Sequence, residues 1–241
     1  MVVLVEPAGP LNVGSVARLC ANFAVQELRI VNPRCDHLGE DALRMAVHGK
    51  SFLQRASLHD SLLAALADCR RSVATCGRLD HGEIPLHRSD DALRWLLACP
   101  DRHQDGSGPL AVVFGREDRG LSNSELRLCQ RVLCLHSAAT YPSLNLSHAV
   151  AVVLHDLLRL QQVSERAEHV PDPAPVMQLN ACLQDAEELL LEVGFLLEHT
   201  ASARMAKVRD LLQRASIRPQ EVALLRGMIR QLRWAIRSER P

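Results

Sequence analysis

The chain has 241 residues, 47% apolar and 23% charged, with a formal net charge of zero. That length and balance suit one ordinary domain plus a smaller one, and exclude a disordered or collagenous chain. No apolar run reaches the roughly 18 residues a membrane helix needs, Met1 leads straight into VVLV without a secretory leader, and the eight cysteines contain no CxxC, which removes the usual zinc and thioredoxin signatures. The expectation is a cytoplasmic protein with inert, reduced thiols, neither membrane-bound nor metal-bound.

Five short aliphatic runs are predicted strands: Val2–Val5, Leu28–Val31, Ser72–Thr75, Leu110–Phe114 and Val132–Leu135. Most are continuous rather than alternating, as strands buried on both faces should be. Helical patterns lie between them, at Ser15–Phe23, Ser61–Cys69, Asp91–Cys99, Ser122–Cys129 and Leu146–Gln162. This alternation predicts an open, mostly parallel α/β sheet over residues 1–163. ERAEHVPDPAP, Glu165 to Pro175, then breaks the pattern with three prolines in five residues, so 164–175 reads as a linker. Residues 176–241 form a small all-helical extension with helices at Val176–Glu198, Ser202–Arg214 and Pro219–Arg237. Pro219 suits a first turn, where its missing N–H costs nothing.

The zero net charge conceals an asymmetry. Residues 200–241 carry ten cations against three anions, a net of +7, and residues 1–199 balance them with −7. At 100° per residue, Val222, Leu225, Ile229, Leu232 and Ile236 share one stripe of the last helix. Arg226, Arg230, Arg233, Arg237 and Arg240 share the next. Such a ridge can meet a phosphate backbone or dock on the chain's own acidic segments, and composition does not separate the two.

Three loops follow predicted strands. EPAGPLNVGSVARL holds Asn12 and Arg18; its Gly9, Gly14 and Ser15 imitate a phosphate-binding loop but lack the lysine. FGREDRGLSNSEL crowds Glu117 and two arginines, Arg116 and Arg119, into one loop and gives Ser122 and Glu125 capping-box spacing. TYPSLNLSHAVAV places Pro142, Ser143 and Asn145 ahead of a long helix, where Asn145 can serve as a cap. Ligands of open α/β sheets sit at the carboxyl ends of strands, where these loops gather. His148 and His155 share a helix face without a further ligand, so no metal is expected. With Tyr141 the only tyrosine, aromatic platforms for stacking RNA bases are expected to be largely absent.

N-x-G-S-V-A-R (Asn12 to Arg18), F-G-R-E-x-x-G-L (Phe114 to Leu121) and Y-P-S-L-N-L-S (Tyr141 to Ser147) together resemble the three motifs of the SpoU-type SPOUT RNA 2′-O-methyltransferases. MAKVRDLLQRA and EVALLRGMI are similar to the helical extension of the branch that acts on nucleoside 32 of the tRNA anticodon loop. The resemblance implies S-adenosylmethionine as methyl donor, a C-terminal trefoil knot, and a homodimer with each active site at the interface. It implies a donor cleft of Thr75, Cys76, Gly77, Gly115, Leu135, Pro142, Ser143 and Leu144, where the family usually carries a small polar or alanine pair in place of Cys76 and Gly77.

In the same reading Arg18 touches phosphate and the reacting oxygen. Asn12 and Asn145 orient the ribose or Arg18, Ser143 pins its loop, and Glu117 holds an arginine or loop amides. Arg18, Arg78, Arg119, Arg226, Arg230, Arg233 and Arg237 are the expected RNA contacts. An arginine pKa above ~12 argues for Arg18 as a stabiliser of negative charge rather than a base. The rivals are 2′-O-methylation elsewhere on tRNA or on rRNA, and a non-catalytic RNA-binding relative.

Overall fold

The computed structural model of the chain describes residues 1–77, 84–98, 108–135, 137, 138, 140, 143–163 and 172–238. It divides into two compact units, Met1–Val170 and Pro171–Pro241. In the first, β1 (Val2–Val5), β2 (Leu28–Val31), β3 (Ser57–His59), β4 (Arg71–Cys76), β5 (Leu86–Arg88), β6 (Leu110–Phe114) and β7 (Arg131–Cys134) form one sheet. Its order is β3-β2-β1-β6-β4-β7-β5, with every pairing parallel. Seven helices accompany it among the described residues: α1 (Pro10–Asn22), α2 (Glu40–Ala46), α3 (Lys50–Gln54), α4 (Leu62–Ala65), α5 (Ser89–Leu97), α6 (Asn123–Leu126) and α7 (Leu146–Val163).

The five predicted strands are present, each within one residue at either end. β1 explains why they read as unbroken apolar runs. Val2 and Leu4 enter the core shared with α1, α5 and α7, while Val3 and Val5 enter the opposite core with α4 and α6. Both faces are covered, so no position is left for a polar residue. The two strands that sequence patterning missed, β3 and β5, are the sheet's edges. Each is three residues long and only partly buried, SLH and LHR. Short, polar edge strands protect a sheet from further pairing and leave no hydrophobic signature.

α1 begins at Pro10, five residues before the apolar pattern suggested, and its Gly14 packs on α2. A Cβ on Gly14 would lie 2.3 Å from the Ala42 carbonyl oxygen. The glycine that imitates a phosphate-binding loop is therefore a contact point between helices. Seven described cysteines are free, and burial pushes the Cys20, Cys69 and Cys129 thiols up to about 12, which keeps them protonated and inert.

The second unit consists of α8 (Val176–Glu192), α9 (Glu198–Arg214) and α10 (Pro219–Ser238) around a core of Leu179, Cys182, Leu183, Met205, Ile217 and Val222. α8 stops six residues earlier than its pattern suggests because Gly194, at φ +75°, ends it in a left-handed turn. No described helix is long and apolar enough to cross a membrane.

Candidate active site

β1, β4, β6 and β7 all deliver their carboxyl ends to one edge of the sheet. α1 starts there without a side-chain cap of its own, since Gly9 is its N-cap residue. Glu117, from the loop after β6, supplies the missing acceptor. Its Oε2 accepts the Ala8 amide at 3.0 Å, and its Oε1 accepts the Gly9 amide at 2.9 Å and Asn12 Nδ2 at 3.1 Å. A carboxylate at a helix N-terminus satisfies orphan N–H groups and complements the helix dipole. Burial alone would push the Glu117 carboxyl up, but these three donors outweigh it and hold it below its ordinary value.

The chain of bonds continues into the third loop. Because Asn12 Nδ2 donates to Glu117, its Oδ1 is free to accept Asn145 Nδ2 at 2.9 Å. Asn145 Oδ1 then accepts the Ser147 amide at 2.9 Å, the Ser147 hydroxyl at 2.7 Å and the His148 amide at 3.4 Å, so Asn145 caps α7. Every donor and acceptor direction in this relay follows from the Glu117 carboxylate, which can only accept. Asn12, Glu117 and Asn145 are thus brought together from three separated stretches of chain.

Arg116 builds the wall behind them. It is nearly buried, donates to both oxygens of Glu125 at 2.8 and 2.9 Å and to the Gly120 carbonyl at 3.3 Å, and pairs with Glu6. Glu125 also completes a capping box with Ser122 at the start of α6. Arg116 first, and Arg34 after it, hold the Glu6 carboxyl down at about 2 against the opposing effect of burial. Arg119 lies 3.7 Å from the same carboxylate. Gly115 lets the loop fold on itself, since a Cβ there would stand 2.3 Å from the Gly120 carbonyl carbon. Glu125 was expected only as half of a capping box, Arg116 only as one of two arginines in its loop, and Glu6 was not expected at all; an Arg–Glu pair inside a loop does not reveal which acids it will meet.

These loops enclose a cleft of about 400 Å³. Thr75, Cys76, Gly77, Gly115, Leu135, Ser143 and Leu144, all expected for the donor cleft, line it, as do Glu117 and Arg119. Pro142 and Arg78 lie outside the described residues. The Thr75 hydroxyl donates its hydrogen to the Val113 carbonyl at 3.0 Å, so toward the cleft it can act only as an acceptor. Among the described residues it is Asn145, rather than Ser143, whose hydrogen bonds hold this loop. Arg18 stands apart. It is exposed on α1, absent from the cleft lining, and without a partner among the described residues.

The arginine ridge of α10 needs a correction. Arg226 Nε donates to Asp185 at 2.8 Å, Arg233 reaches the Asp185 carbonyl at 2.8 Å and Glu188 at 3.2 Å, and Arg237 lies 3.5 Å from Glu192. Three of the four expected RNA contacts on this helix are engaged by the acidic side of α8. Only Arg230 is without a partner among the described residues. The apolar stripe also runs out, for Leu232 is 55% exposed.

Comparison with known proteins accords with this arrangement. The model of the SpoU rRNA methylase family matches residues 1–155. The chain belongs to the SpoU methylase family. This SpoU methylase is 32% identical over 233 residues to the tRNA (cytidine/uridine-2′-O-)-methyltransferase TrmJ of Escherichia coli K12, covering 95% of this chain and 92% of that protein. The crystal structure of TrmJ from Z. mobilis ZM4 superposes with a TM-score of 0.80 at 27% identity, over 96% of this chain and 98% of that one. The fold is shared by AviRb from Streptomyces viridochromogenes, solved in complex with AdoMet, with a TM-score of 0.51 at 21% identity over 68% of this chain and 58% of that one.

Proposed function

We propose that this SpoU methylase transfers a methyl group from S-adenosylmethionine to the ribose 2′-OH of a tRNA, at nucleoside 32 of the anticodon loop. One observation carries the reading: the likeness to tRNA 2′-O-methyltransferases extends over 95% of the chain, the helical unit included, and not over the catalytic unit alone. That breadth favours tRNA over ribosomal RNA. The cleft supports the cofactor, because aliphatic Leu135, Leu144 and Ala149 suit a purine nucleoside while Glu117 and Asp118 suit a positive sulfonium. When bound, S-adenosylmethionine supplies an electrophilic methyl group, so no metal is required.

What remains difficult is the neutral 2′-hydroxyl, a poor nucleophile that must be aligned and relieved of developing charge. Asn12 and Asn145, fixed by Glu117, hold the rim on which a ribose would rest. Arg18 is the guanidinium assigned to the adjoining phosphate and to the 2′-oxygen. Within one chain it does not reach the cleft lining, so the reading includes a homodimer in which the partner completes each site. Exposed Leu11 on α1 and exposed Val152 on α7 offer apolar side chains for such a pairing. The trefoil knot and a cytoplasmic location belong to the same reading.

Incubating the purified protein with unmodified tRNA and methyl-labelled donor, then mapping 2′-O-methyl groups, tests it. Label at nucleoside 32 is expected. Label at another tRNA position or on rRNA corrects the substrate and keeps the chemistry. Failure to bind S-adenosylhomocysteine in a calorimetric titration leaves only the non-catalytic reading. An Arg18→Ala protein that methylates at the wild-type rate removes Arg18 from its role.

A further inference from the structure

The protein has two tryptophans with opposite surroundings. Trp95 is 5% exposed and lies between Arg71 and Arg131, whose guanidinium carbons stand 4.7 and 4.6 Å from its ring centre. Trp234, on the last turns of α10, is 64% exposed, and no cation stands over its ring among the described residues. Leaving a large indole in water forfeits the burial that normally retains one.

Its neighbours on the helix decide what could cover it. Arg230 lies four residues before Trp234 and Arg237 three after, so both flank the indole on one side of α10. Arg230 has no acidic partner among the described residues, and the Arg237 side chain is 65% exposed at 3.5 Å from Glu192. Arg226 and Arg233, by contrast, are turned onto α8. Arg226 and Arg233 therefore hold the helical unit together, while beside the indole stand Arg230 and the more exposed Arg237, whose contact with α8 is the longest of the three.

A flat π surface between two guanidinium groups matches an unpaired nucleobase with a phosphate on either side. We propose that Trp234 is a base-stacking residue for an unpaired nucleotide of the RNA substrate, with Arg230 and Arg237 taking the adjacent phosphates. This rests on the reading that the substrate is tRNA. A protein partner would use instead the neighbouring stripe of Leu224, Met228 and Leu232, which carries no charge. Trp234 lies on the arginine side of that stripe.

The full-length protein gives a direct readout, with Trp234→Phe as the blank that isolates the Trp234 emission. Titration with a tRNA transcript is expected to quench that emission saturably, and a fully paired RNA duplex to leave it unchanged. Trp234→Ala is expected to weaken tRNA binding roughly 5- to 150-fold while S-adenosylhomocysteine affinity stays at the wild-type value; Trp234→Phe, which keeps a ring face, loses less. Arg230→Ala should lower the slope of log affinity against log salt by about 0.7. Equal tRNA affinity of Trp234→Ala and wild type overturns the inference and leaves the enzyme reading intact. A blue shift of Trp234 emission with rising protein concentration, accompanied by dimer growth in sedimentation and no response to tRNA, overturns it in favour of a protein contact. A wild-type protein that binds S-adenosylhomocysteine but no tRNA overturns the inference and the tRNA reading together.

Discussion

Arg29 and Arg116 make almost the same set of bonds at opposite ends of the sheet. Arg29, in β2, forks to both oxygens of Asp68 at 2.6 and 2.8 Å, takes Glu27 as a second acid at 2.7 Å, and donates to the Ala65 carbonyl. Arg116 forks to Glu125, takes Glu6 as a second acid, and donates to the Gly120 carbonyl. The difference lies in the acids. Asp68 is 58% exposed and Glu27 37%, whereas Glu6 is 20% and Glu125 17% exposed. Water can take over from Arg29 but not from Arg116. The amino-edge clamp ties β2 to the turn before β4; the carboxyl-edge clamp holds the loop whose next residue, Glu117, organises the cleft. Identical ion-pair chemistry becomes structural or functional according to what the loop beside it must present.

The sharpest test removes each arginine. Arg116→Ala takes the main partner from two largely buried carboxylates, and breaking such a pair costs ~3–5 kcal/mol. Arg29→Ala leaves acids that rehydrate, so its cost should be ~1–3 kcal/mol, mainly lost packing and an unpaired carbonyl. Urea unfolding measures both. Calorimetry with S-adenosylhomocysteine should show weakened binding in Arg116→Ala and wild-type affinity in folded Arg29→Ala. The comparison breaks if Arg29→Ala is the more costly, or if both variants lose the ligand equally.

Acid should find the same weak point. Glu6 has its carboxyl depressed in the folded state to about 2, from an unfolded value of about 4.3. A depressed carboxyl contributes fully above the unfolded value and is lost as pH falls through the folded one. Stability is therefore expected to decline between about pH 4.3 and 2, and the decline should become shallower in Arg116→Ala, where Arg34 and Arg119 still face Glu6 but its main partner is gone. An acid limb of unchanged steepness in that variant would remove Glu6–Arg116 as its cause.

A smaller effect separates the two edges one acid at a time. Glu117→Gln turns an acceptor-only group into one with an NH2, which cannot satisfy the Ala8 amide, the Gly9 amide and Asn12 together; about 1–3 kcal/mol follows from the donor left unpaired. Glu27→Gln removes one partly exposed ion pair and should cost ~0–1 kcal/mol. Equal costs would mean that the Glu117 relay is no more demanding than a surface pair.

How much of this was legible in the sequence depends on whether the signal was local. β1 and β6 could be read to the residue because strands covered on both faces are apolar throughout, and β2 because its apolar run is broken only by Arg29. β3 and β5 could not, because edge strands carry no such requirement. The three loops of the site were visible as motifs, yet the bonds among Glu117, Asn12 and Asn145 span 105 and 133 residues, and only folding reveals them. The α10 stripes were correctly spaced, but their facing was not decided by α10. The deciding residues sit on α8, where Asp185, Glu188 and Glu192 form an acidic row at helical spacing. Matching that row to the arginine ridge would have found the pairing. Trp234 escaped because the expectation about stacking platforms counted tyrosines.

Asn145 permits the finest separation, because it does two jobs with two different atoms. Its Oδ1 caps α7, and its Nδ2 donates to Asn12. Asn145→Asp keeps an oxygen for the cap, and a carboxylate there is at least as good a partner for the helix dipole. It abolishes the donor and sets the new carboxylate against Asn12 Oδ1. Asn145→Ala loses both jobs and should cost ~1 kcal/mol of stability, the usual worth of a cap. Asn145→Asp should lie within a few tenths of a kcal/mol of wild type, since Asp and Asn cap about equally well. If the relay holds the rim on which the substrate rests, methyl transfer should nonetheless fall in both variants, and by a similar factor despite their different stabilities. Transfer that instead tracked stability, normal in Asn145→Asp and reduced in Asn145→Ala, would show that Asn145 serves only its helix, and the carboxyl edge would then be as purely structural at this position as the amino edge is at Arg29.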